Sequence, residues 1–157
     1  MYLLASTGAV VPRTRQEVFD YVSDLTRFPE WFPGALEVRP RDALARATVG
    51  KQYEETVALP LRGLQQVLIR VVEADPPRRF VTEGSLALLM PRMEIDLEDA
   101  GAHACRVQWR MLSRNGALLP RWTVLPLARR ATQLRADAAM GRLQKILGDT
   151  LAKAASS

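Results

Sequence analysis

Histidine and cysteine occur once each in this chain, as His103 and Cys105, and lysine only at Lys51, Lys145 and Lys153. A lone cysteine excludes an internal disulfide. One Cys with one His cannot supply the three or four ligands of a usual zinc site, so neither a metal nor a cofactor is expected. No run approaches the roughly 18 apolar residues of a membrane-spanning helix. The apolar start, residues 1–11, carries no Lys or Arg ahead of its hydrophobic part and runs straight into Pro12, which reads as a strand and not a signal peptide; a cytoplasmic location is expected. P-loop, GxGxxG, HExxH and nucleophile-elbow motifs are absent. Ser-His-Asp catalysis would have to use His103, which lies beside the Gly101 turn, where a solvated surface histidine is the expected form. Cys105 shares its parity with Val107 and Trp109 and reads as a buried, inert thiol.

What is present is arginine. The net charge of +5 and the pI near 10.0 rest on arginines spread along the whole chain, not gathered in one run or helix. That spread argues against nucleic-acid binding and leaves a weak, salt-sensitive contact with anionic membrane as the expectation from charge. At 48% hydrophobic and 25% charged, with no repeat and no low-complexity tract, the composition is that of one globular domain. The expected bounds are residues 1–153, with a tail at 154–157.

The stretch from 117 to 151 carries Leu125, Ala128, Thr132, Leu134, Ala136, Ala139, Leu143, Ile146 and Leu147 at helical spacing, with charged residues mostly between them. Pro120 and Pro126 predict an irregular first turn or a kink and a clean helix from Leu127 onward. Its alanines leave it thin enough for a partner or ligand to come close. Ahead of it, residues 2–11 read as a strand, and Thr14-Arg15-Gln16-Glu17 has the form of a capping box at a helix start. Asp24 or Thr26 can cap a second short helix through Phe32, closed by Pro33-Gly34. Phe19, Tyr21, Phe28, Trp31 and Phe32 gather in these two helices.

From residue 35 to 114 the period changes to two. Strands are predicted at 36–39, 51–59, 65–74, 78–86, 90–98 and 104–113, separated by turn sequences such as Pro60-Leu61-Arg62-Gly63 and Asp75-Pro76-Pro77. Met93, Ile95 and Leu97 alternate with Glu94, Asp96 and Glu98. Val107, Trp109 and Met111 alternate with Arg106, Gln108 and Arg110, so the two charged rows should pair across adjacent strands. The fold class is therefore α+β: a seven-stranded, curved antiparallel sheet around a long C-terminal helix, with two short helices after the first strand.

Residues 11–24 (Val-Pro-Arg-Thr-Arg-Gln-Glu-Val-Phe-Asp-Tyr-Val-Ser-Asp) resemble the opening of the helix-grip (START-like, SRPBCC) superfamily. Residues 28–38 resemble its second helix and following strand, and Asp75-Pro76-Pro77-Arg78-Arg79-Phe80 the turn before its fifth strand. The resemblance implies a deep apolar cavity between sheet and helix for a lipid, polyketide, sterol or quinone-like compound. It also implies one of two roles, carriage of that compound or enzymatic action of the polyketide cyclase/dehydrase type. No catalytic motif of the family is present to transfer.

The candidate lining of such a cavity is Tyr53, Phe80, Met93, Ile95, Trp109, Trp122 and Leu125, all of which also serve as ordinary core. The candidate catalytic residue is Glu55. It shares the parity of Tyr53, Val57 and Leu59, so it points into the cavity unless a bulge turns it to water. Arg70, on the parity of Leu68 and Val72, is its candidate partner. The stretch 86–91, Leu-Ala-Leu-Leu-Met-Pro, lacks Gly or Asn. It is either an exposed apolar loop that meets a membrane, a partner or a second subunit, or a continuation of the strand pair.

Overall fold

The computed structural model of the protein describes the backbone of residues 1–155 and the side chains of residues 1–148; the expected tail, 154–157, lies outside the residues described with side chains. β1 (Tyr2–Val11) leads into α1 (Arg15–Val22), a 3-10 turn (Leu25–Arg27) and α2 (Phe28–Trp31). Six strands follow: β2 (Ala35–Pro40), β3 (Gln52–Leu59), β4 (Gly63–Asp75), β5 (Arg79–Gly84), β6 (Pro91–Asp99) and β7 (Cys105–Ser113). The chain ends in α3 (Leu118–Trp122) and α4 (Val124–Ala155). The strands form one antiparallel sheet in the order β1-β7-β6-β5-β4-β3-β2, with β1 and β2 at its edges.

Local chemistry sets each element. At α1 the Thr14 hydroxyl accepts the Glu17 backbone N–H (3.2 Å) and donates to the Glu17 carboxylate (3.0 Å), so Glu17 holds the cap side chain instead of reaching back to the cap backbone. Asp24 caps the next turn through the Thr26 N–H. Gly34, at φ 92°, closes α2 in a conformation that disfavours a side chain, and an added Cβ would lie 2.7 Å from the Arg135 Cζ. Asp42 pins the β2–β3 loop, accepting from the Gln52 N–H (2.8 Å) and pairing with the buried Lys51 ammonium (3.1 Å).

Pro120 and Pro126 each fall in the first turn of their own helix, where no intrahelical donor is required. The break between α3 and α4 falls at Thr123, whose hydroxyl caps back onto the Leu119 carbonyl (2.7 Å). α4 lies along the β1 edge and runs in the same direction. The Gln133 amide accepts the Ser6 N–H (3.1 Å) and donates to the Ser6 carbonyl (3.0 Å), and Gln144 donates to the Val10 carbonyl (3.2 Å). These side chains satisfy edge groups that would otherwise invite another strand. Leu125, Ala136, Ala139, Met140, Leu143 and Leu147 form the buried stripe of α4. Leu134 does not join it: nine residues from both Leu125 and Leu143, it is half a turn out of phase and faces solvent.

The core lies between the inner face of the sheet, the short helices and α4. Phe28 stacks on Phe32 (4.8 Å between centroids) and meets Trp31 edge-on (5.0 Å), while Phe32 lies against Trp109 (5.3 Å). On the outer face Glu94 is enclosed by three arginines, with contacts of 2.7 Å to Arg110, 2.8 Å to Arg92 and 3.5 Å to Arg79. The expected pairing of the charged rows is present, as Glu94–Arg110 and Arg106 opposite Glu98, and Arg79 and Arg92 extend it to β5 and β6.

Candidate functional site: a carboxyl in an apolar cavity

The β3–β4 register places Glu55 opposite Val67 and Gln52 opposite Arg70. Val67, Ile69 and Val71 therefore face inward, and Arg70 faces solvent with its side chain on the outer surface. Arg70 is thus not the partner of Glu55, a correction to the sequence expectation. Glu55 itself points inward and is 9% exposed; no bulge interrupts β3 against β4.

Around Glu55 the inner face of the sheet and the short helices enclose a cavity of about 50 Å³. The sheet contributes Val38, Val67, Ile69, Thr82, Gly84, Met93 and Met111, and the short helices contribute Leu25 and Phe28, with Pro91 beside them. Glu55 and Thr82 are the polar side chains of this lining. Among the described residues the Glu55 carboxyl has neither a hydrogen-bond partner nor an ion-pair partner. Burial without compensation pushes its pKa up from the ordinary 4.5 to about 7. A group in this state can give or take a proton near neutral pH.

The deep cavity implied by the sequence resemblance is a small one here. Its volume holds a few water molecules, against roughly 300–1,000 Å³ for sites that take drug-sized ligands. The reason is the aromatic cluster, because Phe28, Trp31, Phe32 and Trp109 occupy the space between sheet and helices. Two of the cavity walls are pliable. Met93 and Met111 are unbranched and change rotamer readily, whereas the wall at Gly84 is tight, since an added Cβ would meet Pro91 at 3.0 Å and Val67 at 3.2 Å.

Of the expected lining residues, Met93 borders the cavity. Tyr53, Phe80, Ile95 and Trp109 are buried in the core around it, with Phe80 edge-on to Phe19 (6.3 Å) and the Tyr53 hydroxyl 3.4 Å from the Arg46 carbonyl. Leu125 is buried away from both the cavity and the main core cluster. Trp122 is 78% exposed: the break at Thr123 ends α3 and turns its side chain to solvent, outside the lining of this cavity. Thr82, Gly84 and Met111 join the site without having been picked out for it by sequence, and the signal for them was their inward parity on β5 and β7. Cys105 is buried with its thiol raised to about 11 by desolvation, and His103 is exposed. Among the described residues no cluster of three His, Cys, Asp or Glu could hold a metal, and no helix is long and apolar enough to cross a membrane.

Residues 5–148 match the family model described as "Polyketide cyclase / dehydrase and lipid transport". The chain belongs to this family. Among solved structures it is similar to TTHA0849 from Thermus thermophilus, at 12% identity over 98% of this chain and 99% of that one, with a TM-score of 0.72. The di-domain ARO/CYC StfQ of the steffimycin biosynthetic pathway is 10% identical over 94% of this chain and 51% of its own, with a TM-score of 0.71. A START superfamily protein from Mycobacterium smegmatis is 15% identical over 90% of this chain and 97% of that one, at 0.64. Identities this low carry the fold alone. A comparison with curated proteins finds no match. The curved antiparallel sheet around a long C-terminal helix expected from the sequence is the fold shared with these structures, and it is one suited to hydrophobic ligands.

Proposed function

We propose that the protein binds a hydrophobic small molecule bearing a carbonyl oxygen, with Glu55 as its polar anchor. The observation that carries this reading is a carboxyl group inside an apolar cavity with no protein partner. A fold stabilised only for its own sake would do better with an apolar side chain there, since an unpartnered buried polar group costs on the order of 1–3 kcal/mol. A ligand that covers Glu55 desolvates it further and favours its protonated form, which then donates to the ligand oxygen. Met93 and Met111 give way to admit the apolar body, so affinity includes the cost of moving them.

The test is titration with a neutral solvatochromic dye such as Nile red, followed by displacement with hydrophobic ketones. Wild-type protein is expected to bind the dye displaceably. Met111→Ala, which enlarges the cavity without touching Glu55, is expected to bind it about tenfold more tightly while losing on the order of 2 kcal/mol of stability. Ketone affinity should be flat below pH 7 and fall about tenfold per pH unit above it, as the donor form of Glu55 is lost, and Glu55→Gln should flatten that profile. No displaceable binding by either wild type or Met111→Ala would overturn the reading.

A second reading, an enzyme of the polyketide cyclase/dehydrase type, is favoured by one observation: a carboxyl with a pKa of about 7 suits proton transfer at neutral pH. Against it, Tyr53 and Arg70 stand outside the cavity lining, which leaves Glu55 with Thr82 alone. Under this reading Glu55→Gln abolishes turnover of a β-dicarbonyl substrate and leaves its affinity within a few-fold.

A further inference from the structure

At one end of the molecule the chain exposes large apolar side chains together with unpaired arginines. Leu118, Leu119 and Trp122 on α3 are 71%, 74% and 78% exposed, and Leu127 on the first turns of α4 is equally open. The β3–β4 hairpin and the β5–β6 loop come to the same end and present Leu61 and Leu88. Specific ties hold the three segments together. Asn115, just ahead of α3, donates to the Leu88 carbonyl (2.7 Å), Ser113 donates to the Leu89 carbonyl, and Arg135 on α4 donates to the Ala58 carbonyl at the hairpin (2.9 Å). The 86–91 loop is thereby anchored, with Leu86 packed against the core and Leu88 its exposed leucine. α3 is the larger exposed element.

Backbone conformation adds a second observation. Leu61 and Leu88 sit at φ 64° and 68°, in the left-handed region where glycine or asparagine is favoured and a branched apolar side chain is not. Leucine at both loop tips is strained and exposed, and such outliers point to function.

Charge selects the partner. Residues 56–72 and 100–136 contain no Asp or Glu, and the second span carries seven arginines. Arg62, Arg121, Arg129 and Arg130 are exposed and without an ion pair among the described residues. Apolar tips with a tryptophan among unpaired arginines match a bilayer surface that is negative outside and apolar beneath. A second copy of this chain would set the same positive surface against itself. We propose that this end docks on anionic membrane, with α3 and the Leu61 and Leu88 tips inserting shallowly and the arginines meeting lipid phosphates. This proposal does not depend on the Glu55 cavity.

Trp122 supplies the probe, because Trp31 and Trp109 are buried. Full-length protein is mixed with phosphatidylcholine vesicles containing or lacking about one-third phosphatidylserine. The expected result is cosedimentation with a blue shift of Trp122 emission on the anionic vesicles only, fading as salt rises to physiological strength. At low salt Arg121→Gln, Arg129→Gln and Arg130→Gln together should weaken binding on the order of a hundred-fold, since each charge near the surface is worth about five-fold. Leu118→Ser with Leu119→Ser should abolish the emission shift, while Leu44→Ser, at the opposite end, should change neither readout. Equal binding to both vesicle types, no binding at low salt, or loss with Leu44→Ser as well would overturn the proposal. So would a concentration-dependent dimer that the α3 substitutions dissolve.

Discussion

Glu55 is the residue at which stability and function pull apart. Its folded pKa of about 7 lies above the ordinary carboxyl value of 4.5, so between those two pH values the folded state holds a proton that the unfolded chain has released. Stability therefore falls as pH rises from about 4.5 to 7, and the full penalty, on the order of 3 kcal/mol, is present above pH 7. Replacing the group by a neutral isostere removes this dependence. Denaturant unfolding of Glu55→Gln is expected to show a gain of about 3 kcal/mol over wild type at pH 8 and no gain near pH 4; equal differences at both pH values would place the carboxyl in water. That Glu55 faces inward was legible from β3 alone, because parity within one strand needs only its own alternation. That Arg70 faces outward was not. β4 carries apolar residues on both parities, Leu64, Leu68 and Val72 on one and Val67, Ile69 and Val71 on the other, and only the register with β3 selects the inner set.

Among the elements, α4 matters as much for the edge it covers as for the core it fills. The Gln133 amide stands in for a neighbouring strand at Ser6, beside the irregularity in β1 between Leu3 and Ala5. Gln133→Ala removes one donor and one acceptor and should cost about 1–2 kcal/mol. Hydrogen exchange at the Ser6 amide should quicken more than at the Ala9 amide, which pairs with β7 through a regular ladder; uniform quickening along β1 would assign Gln133 a packing role only. The strands were legible within a residue or two because turn sequences and period-two alternation agree. The α3–α4 junction was less so. Pro120 and Pro126 called for an irregular start ahead of Leu127 but not for a full stop at Thr123, which resets the helical phase and turns Trp122 to solvent and not the interior.

For the whole molecule, the sequence carried the architecture, because alternating strands and one long helix have few ways to bury their apolar faces together. It did not carry the size of the cavity. That depends on how Phe28, Phe32, Trp109 and the two methionines meet in three dimensions, and periodicity records only which side each residue faces. The central claim is that the Glu55 carboxyl lies inside the space a hydrophobic ligand enters. It is tested most directly by following the Glu55 side-chain carboxyl through a pH titration by carbon-13 NMR, first without ligand and then saturated with a neutral hydrophobic ketone. The account predicts a midpoint near pH 7 for the free protein, moved higher when the ketone is bound; a midpoint near the ordinary 4.5, unmoved by the ketone, would contradict it.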